Sequence, residues 1–506
     1  MHGCFLDSLI AMYEEVRIRV RVGGKLGDSF QSDVGVKQGD PLSPLLFGLF
    51  IDRLEGLIRD MLPDVGVHMK DVFLKVLLYA DDLVLLAETP GDLQHMLDLL
   101  LSFCKHNNMV VNIKKSEGVV FNRQFCPYAR RGRGIKVKYN GTELVLKPMF
   151  VYLGMLYEEE GGIKKSANRS LSKGRSAAYA MTRRCHELDI HNVFIKCHLF
   201  DSLVKPILMY GCEVWGPSVM AGGKCLVDSG FTKELELLHK GFLRQCLGVR
   251  KSVPDVVLMS EMRRKPIALS LLKQLLCFWN KIQCRADDDL VKLAMQESYE
   301  LAKGGVRDCW VGHLAKCVGK FGVDLFGRSD FILDVNEVLD VAQAQWQARM
   351  LGILQPEDGV RGMVRSLSDD VHVGFKTITY FRWFADVESD IKTTFWYALN
   401  RPEQISTVAR FRMGCHWLNI ENDRIAKPYT PRSRRLCKCC EMGVREDELH
   451  VLECPLYQDL RCAHGVLSYK GVCGSEDTVM KEHMNSSDIG GAFLESYGEL
   501  FDQMQV

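Results

Sequence analysis

The spacing of apolar positions changes between helical and strand periodicity over the first 150 residues. Residues 4–15 have one apolar helical face, whereas Val16–Val22 alternates between apolar and polar positions, as a strand does. Gly23-Gly24 predicts a turn after this strand, whose polar face carries Arg17, Arg19 and Arg21. Helical spacing returns over Leu45–Ile58 and Asp92–His106. This order of elements predicts an α+β region.

Later parts of the chain are mainly helical. Asn140-Gly141 separates two short runs and is the strongest short-range signal for a β-hairpin. Beyond about residue 160, amphipathic helices are predicted over Val193–Tyr210, Leu235–Cys246 and Leu269–Ile282. Residues 286–400 also have a mostly helical pattern, without recognisable chemistry.

Composition limits the classes of protein to which this chain can belong. Its 506 residues are 47% hydrophobic and 25% charged, which is typical of a globular chain with several domains. Because the net charge is only +1, any nucleic-acid-binding surface has to be local. Nineteen cysteines without a signal-like N terminus predict a reducing intracellular compartment, either the nucleus or the cytoplasm. No run of eighteen apolar residues is present, so no membrane span is expected.

Two adjacent carboxylates, Asp81 and Asp82, stand between the apolar arms of the segment Val76–Leu86. The arms predict buried strands, and the Ala-Asp-Asp step predicts a tight turn. Like charges repel, and apolar surroundings add to the cost of ionisation. Bound Mg²⁺ would offset both effects and is a common cofactor of nucleotidyl transfer. The alternative is an ordinary turn, because Asp is a favoured turn residue.

A second motif lies about forty residues upstream, in the segment Gly35–Phe47. It reads Gln-Gly-Asp-Pro-Leu-Ser-Pro from Gln38 to Pro44, and Ser43-Pro44 predicts a helix N-cap followed by a first-turn proline. This motif, an apolar helix and then Tyr-Ala-Asp-Asp resemble the reverse transcriptases of non-LTR (LINE-type) retrotransposons.

The resemblance implies a polymerase palm with a two-Mg²⁺ site that copies an RNA template onto a DNA primer from dNTPs. Asp81 would hold metal and Asp82 would assist, while Gln38, Gly39 and Pro41 would lie beside the incoming nucleotide and template. The family's first catalytic aspartate motif would lie before Met1. Asp7 is not expected to replace it, because it lies in a helical pattern rather than a strand. We therefore expect a truncated, catalytically incomplete copy. The alternatives are a non-catalytic nucleic-acid-binding remnant and a fragment of a longer active protein.

Further family-like blocks follow the carboxylate pair. The resemblance implies that Lys115, with Lys114 as the alternative, lies near the nucleotide phosphates. It also implies that Tyr152, Leu153 and Gly154 form a primer grip, and that Tyr210–Gly216 belongs to the thumb region. Independently of the family, Lys165, Arg169 and Lys173 are spaced four residues apart on a predicted helix, so they would form a phosphate-binding stripe. The alternative for this stripe is a solvated basic face.

A cysteine-histidine pattern near the C terminus predicts a structural zinc site. The spacing Cys437-x2-Cys440-x9-His450-x3-Cys454 suits tetrahedral Zn²⁺ and resembles the C-terminal Cys-Cys-His-Cys module of LINE proteins. Cys439 could replace either of the first two ligands, and free thiols are the alternative reading.

The predicted division of the chain has five parts. Residues 1–160 are a partial reverse transcriptase palm, an antiparallel sheet with helices. They are followed by a helical thumb-like region (161–300), a helical connector (301–410), a zinc knuckle (411–465) and an acidic tail (466–506). The oligomeric state is left open.

Overall fold

The computed structural model describes most of the first 350 residues and selected parts of the remainder. The described residues are 3–32, 35–37, 39–121, 135–327, 330–350 and 401–415, together with 430, 431, 434–437, 440, 442–444, 450, 454, 455, 458 and 459. They form two compact units, Met1–Phe150 and Val151–Val506. The finer division of the second unit stays a prediction.

The first unit begins with helix α1 (Cys4–Glu14) and a hairpin of β1 (Arg17–Val22) and β2 (Lys25–Gln31). Helix α2 (Ser43–Met61) precedes β3 (Val67–Met69), β4 (Val72–Leu74), β5 (Val76–Tyr79) and β6 (Asp82–Leu85). Helix α3 (Pro90–His106), a 3₁₀ turn (Ile113–Lys115) and β7 (Glu117–Gly118) come next. The later strands are β8 (Lys138–Tyr139), β9 (Thr142–Glu143), β10 (Val145–Leu146) and β11 (Met149–Tyr152), which continues into the second unit.

The strands pair in small ladders rather than in one continuous sheet. Each described ladder has two strands, and β7 pairs with β10 in parallel. The predicted α+β class is therefore confirmed, while the expected antiparallel sheet is not formed by the described residues. The two turns predicted from glycine are present, with Gly23, Gly24, Asn140 and Gly141 all at positive φ.

The core of the first unit lies between α2, α3 and the β5–β6 hairpin. Its buried residues include Leu54 and Ile58 from α2 and Met96 and Leu100 from α3. Helix α3 begins at a capping residue, because the Thr89 hydroxyl accepts a hydrogen bond from the Asp92 amide at 3.1 Å.

The second unit is mainly helical and begins with β12 (Met155–Glu158), the partner of β11. Its helices are α4 (Lys164–Glu187), α5 (Val193–Leu199), α6 (Lys205–Met209), α7 (Cys212–Met220), α8 (Gly230–Leu247), α9 (Asp255–Glu261), α10 (Ile267–Gln283), α11 (Leu290–Lys303), α12 (Trp310–Gly319), α13 (Val335–Met350) and α14 (Pro402–Arg412). A π-helical segment (Phe200–Val204) joins α5 to α6, so the helix predicted over Val193–Tyr210 is not uniformly α-helical.

One hydrophobic cluster holds the second unit together. It contains the fully buried Trp215 and Leu275, and it extends to α14 and to Cys437 and Cys454. The interface between α8 and α9 also carries an ion pair in which Lys240 and Arg244 contact the Asp255 carboxylate. Among the described helices, none is long and apolar enough to cross a membrane.

Candidate functional site

The two adjacent carboxylates lie at the tip of the β5–β6 hairpin. Tyr79 pairs with Asp82, which leaves Ala80 and Asp81 as a two-residue turn. Ala80 has a φ of 51°, a conformation that is strained for a residue with a side chain. Such strain is often found at functional sites, where the surrounding structure maintains it. Asp81 and Asp82 are both exposed, so each can offer its oxygens to a ligand from solvent.

One face of this hairpin is partly buried and the other is largely exposed, so the prediction of two buried strands was wrong. Val76 and Leu78 pack against the core together with Leu83 and Leu85. The opposite face carries Tyr79, which is 62% exposed. Because paired residues share a face, Asp82 lies on the open face beside Tyr79.

The loop before α2 is fastened to α1 through polar contacts. The Tyr13 hydroxyl donates to Asp40 at 3.1 Å, and the Lys37 ammonium donates to the Met12 carbonyl at 2.8 Å. Gly39 lies in this loop with a φ of 86°. The predicted nucleotide-binding loop is therefore held to α1 at two points, one on each side of Gly39.

The start of α2 differs from its prediction. Leu42, not Ser43, is the residue before the helix, and no side chain caps it. The Ser43 hydroxyl instead donates to the Lys37 carbonyl at 2.6 Å and helps to close the loop. Pro41 is exposed, while Gln38, which was predicted to contact nucleotide and template, lies outside the described residues.

Lys114 and Lys115 both lie on the 3₁₀ turn and are exposed. Either ammonium group is available to an anionic ligand, so the structure does not select between them. β7, immediately after this turn, pairs with β10 in parallel and fixes its position within the first unit.

The predicted primer grip is a tight turn at the beginning of the second unit. Leu153 and Gly154 join β11 to β12 with φ values of 46° and 78°. The Tyr210 hydroxyl donates to the Leu153 carbonyl at 2.6 Å. A side chain at Gly154 would meet the Tyr210 ring at 3.2 Å, so glycine permits this close packing. Trp215 fixes Tyr210 in turn, since its indole donates to the Tyr210 carbonyl at 2.9 Å.

Tyr210 contacts the predicted primer grip, and the sequence analysis did not identify this contact. The segment Tyr210–Gly216 resembled the family's thumb region, but no contact with the Tyr-Leu-Gly turn was predicted. The two segments are 57 residues apart, so sequence spacing gives no indication that they meet.

Helix α4 presents a broad basic surface, but its members differ in environment. Lys165 pairs with the largely buried Glu158 at 3.2 Å, which offsets much of its charge. Arg169 is half-buried and Lys173 is exposed. Tyr179, also on α4 and 72% exposed, was not predicted as a site residue. An exposed aromatic ring among basic side chains can stack on a nucleic-acid base.

The cysteine-histidine group brings four potential metal ligands together. One ligand atom each from Cys437, Cys440, His450 and Cys454 lies within 4.8 Å of all the others. Cys440 Sγ is 3.3 Å from His450 Nε2, and three of the four residues are buried. Three thiols and one imidazole fit the ligand preference of Zn²⁺. Cys439, the alternative ligand, lies outside the described residues.

Comparison with known proteins assigns the region that contains the carboxylate pair. Residues 4–156 match the family described as reverse transcriptase (RNA-dependent DNA polymerase). They are a reverse transcriptase domain of the non-LTR retrotransposon type. This domain includes Asp81, Asp82, Lys115 and the Tyr152–Gly154 turn, and it ends before α4.

Several of the similar proteins are Pol polyproteins of retrotransposable elements. The chain is 37% identical to the Pol polyprotein of the type-2 element R2DM from Drosophila melanogaster, over 22% of this chain and 10% of that protein. It is 26% identical to an R2 Pol polyprotein from Popillia japonica, over 52% and 34% of the two chains. It is 29% identical to the R2 Pol polyprotein of Bradysia coprophila, over 54% of this chain and 29% of that protein. The chain thus matches at most about a third of the length of these three relatives.

Proposed function

We propose that the chain takes part in RNA-directed DNA synthesis by a non-LTR retrotransposon, and that it supplies only part of the catalytic site. The exposed Asp81–Asp82 turn within the reverse transcriptase domain carries this proposal. Among the residues that the structure describes, no third carboxylate or histidine joins these two to form a three-ligand group. The chain alone is therefore expected to hold Mg²⁺ too weakly for polymerisation.

We assign a proposed role to the carboxylate pair, to the Gly39 loop and to the lysine pair. Asp81 and Asp82 would hold Mg²⁺, which when bound neutralises charge on the reacting phosphates. The loop around Gly39 and Pro41 would position template and nucleotide, and Lys115 or Lys114 would contact the nucleotide phosphates. The substrates would be an RNA template, a DNA primer and dNTPs.

Primer extension tests the catalytic proposal. The purified chain should not incorporate dNTPs on an RNA template in the presence of Mg²⁺. If the chain does incorporate them, and Asp81→Asn abolishes this while the exposed Asp52→Asn does not, the site is more complete than proposed.

We further propose that Tyr210 is a positioning residue for the primer terminus. Tyr210→Phe removes the hydroxyl that holds the Leu153 carbonyl and keeps the ring that packs on Gly154. The lost hydrogen bond stabilises the turn by about 1 kcal/mol, so binding of a recessed primer end should weaken by up to about fivefold. Binding of a blunt duplex of the same length should not change. An equal loss for both duplexes would indicate a general effect on folding instead.

A nucleic-acid-binding remnant is the second candidate function, supported by the basic surface of α4. Neutralising Lys165, Arg169 and Lys173 together should reduce the dependence of affinity on salt. Arg169 and Lys173 should account for most of the effect, because Lys165 already contacts Glu158. The single variants Arg169→Gln and Lys173→Gln measure the separate contributions. Lys316→Gln removes one positive charge elsewhere in this unit and is their control. An unchanged salt dependence in the triple variant would place binding elsewhere.

For the C-terminal group we propose one structural Zn²⁺ per chain, held by Cys437, Cys440, His450 and Cys454. Metal analysis of the full chain should find one zinc, which Cys454→Ser loses and which substitution of the exposed Cys277 by Ser retains. Because Cys437 and Cys454 belong to the helical core, chelation should loosen α14 as well as the knuckle. A metal-free chain with an intact helical unit would refute the site.

A further inference from the structure

The β1–β2 hairpin is exposed along its whole length. All six residues of β1 and all seven of β2 are exposed. The hairpin is closed at its base by a hydrogen bond from the Ser32 amide to the Val16 carbonyl at 2.8 Å. Two-stranded ribbons are marginally stable by themselves, so a ribbon exposed in this way is a candidate for binding a partner.

The two faces of the hairpin have different chemistry. Arg17 pairs with Gln31, and Arg19 pairs with Ser29, so these four side chains share one face. The pairing register shifts between Arg19 and Arg21, where β2 has one more residue than β1. The backbone of β1 therefore continues regularly through this point. Because side chains alternate along a regular strand, all three arginines of β1 lie on the same face.

The arginine face carries little compensating negative charge. Arg17 is 3.6 Å from Glu15, in a pair whose side chains are both mostly exposed. Among the residues described by the structure, no acidic side chain forms an ion pair with Arg19 or Arg21. The opposite face holds Ile18 and Phe30, which are 41% and 53% exposed. The ribbon therefore concentrates permanent positive charge on one side.

This arrangement suits the phosphate backbone of a nucleic acid. Guanidinium groups stay charged at every physiological pH and bind phosphate oxygens with two hydrogen bonds. Alternate residues of a regular strand are about 6.8 Å apart, so the three guanidinium groups form a row along one face of the ribbon. Arg17, Arg19 and Arg21 can thus contact phosphates without bending the ribbon.

We propose that the arginine face of the β1–β2 hairpin is a phosphate-binding surface for the template–primer duplex. The inference rests on the proposed function, since it assigns a further contact for the same substrates. The location is consistent with that role, because β2 leads directly into the loop that contains Gly39. Lys37 and Asp40 fasten this loop to α1, the helix that precedes the hairpin.

Fluorescence anisotropy with a labelled RNA–DNA duplex of about 20 base pairs tests the proposal between about 50 and 200 mM salt. The test protein is the full chain with Arg17, Arg19 and Arg21 changed to Gln, which preserves length and hydrogen bonding. Each lost phosphate contact should lower affinity about eightfold at 0.1 M salt and reduce the log–log salt slope by about 0.9. The Arg-to-Lys triple variant should retain most of the slope.

Two controls separate the proposal from its alternatives. The exposed Arg53, Arg59 and Lys105 lie elsewhere in the same unit, and changing them to Gln removes the same charge. This control should retain the salt slope. Equal losses in both triple variants would mean that only net charge matters and would overturn the proposal.

A third variant, Ile18→Ser with Phe30→Ser, tests the apolar face. If it loses duplex binding while the arginine variant does not, the apolar face is the binding surface and the proposal is wrong. An unchanged slope in the Arg-to-Gln variant refutes the hairpin site alone and leaves the proposed function intact. Failure of the unaltered chain to bind any duplex would refute both.

Discussion

A buried ion pair between Arg412 and Glu261 should be a main determinant of how α14 attaches to the helical unit. Arg412 Nε donates to Glu261 Oε1 at 2.7 Å, and Nη2 donates to Oε2 at 3.2 Å. The side chains are only 8% and 2% exposed. Removing one partner deletes this ion pair while the other charged group stays buried, which typically costs about 3–5 kcal/mol.

A double-mutant cycle tests this expectation. Arg412→Met and Glu261→Leu should each destabilise the second unit by about 3–5 kcal/mol. The double variant should lose much less than the sum, because both charges are then absent and apolar side chains fill the space. Arg175 and Glu234 form an exposed pair in the same unit, and Arg175→Met should cost about 0–1 kcal/mol.

Urea unfolding, monitored by tryptophan fluorescence, measures the free energy of unfolding of the second unit. All seven tryptophans lie after residue 150, so the signal reports the second unit and not the reverse transcriptase domain. Additive single losses would refute the reasoning, since uncoupled residues cannot form the buried pair. A loss below about 1 kcal/mol in either single variant would equally contradict it.

For three further sites, the local structure predicts whether a substitution raises or lowers the free energy of unfolding. Gly174→Ala should destabilise the second unit by about 1–3 kcal/mol, because the new Cβ would lie 2.1 Å from Leu208 Cδ2. Gly241→Ala is its control and should stabilise by about 0.5–1 kcal/mol in the same urea assay, since helical Gly241 has no neighbour within 4 Å of the added carbon. Burial opposes ionisation of Asp255, but hydrogen bonds from the two basic α8 side chains prevail and lower its pKa. Its stabilisation should therefore be complete above about pH 4 and be lost as pH falls through the lowered pKa, so Asp255→Asn should destabilise at pH 7 and have a progressively smaller effect as the pH is lowered below about 4. Thr89→Ala should cost the first unit about 1 kcal/mol by circular dichroism, because the α3 cap is lost; no loss would show that the cap is not stabilising.

The contacts of the Tyr-Leu-Gly turn and of α14 indicate how the second unit is organised. Tyr210 joins α6–α7 to the turn, and Arg412 joins α14 to the end of α9. Both contacts are hydrogen bonds between residues far apart in the sequence. The helical unit therefore depends on specific polar contacts as well as on apolar packing.

Local sequence determined the features that depend on near neighbours. The helical spacing of α1 to α3, the glycine turns and the order of the two polymerase motifs could all be predicted, because backbone preference and side-chain periodicity act over a few residues. The reverse transcriptase assignment belongs to the same class, since it depends on short motifs with defined residue types. The spacing of Cys437, Cys440, His450 and Cys454 likewise predicted the group that the structure brings together.

Tertiary structure alone decided which faces are buried and which distant residues meet. The apolar pattern of Val76–Leu86 predicted two buried strands, but the described packing covers only one face. Local patterns also could not predict that Lys165 contacts Glu158. Nor could they predict that Arg412 pairs with Glu261, 151 residues earlier in the chain. Periodicity specifies a face of an element but not the element against which it packs, because that choice depends on the free energy of the whole folded chain.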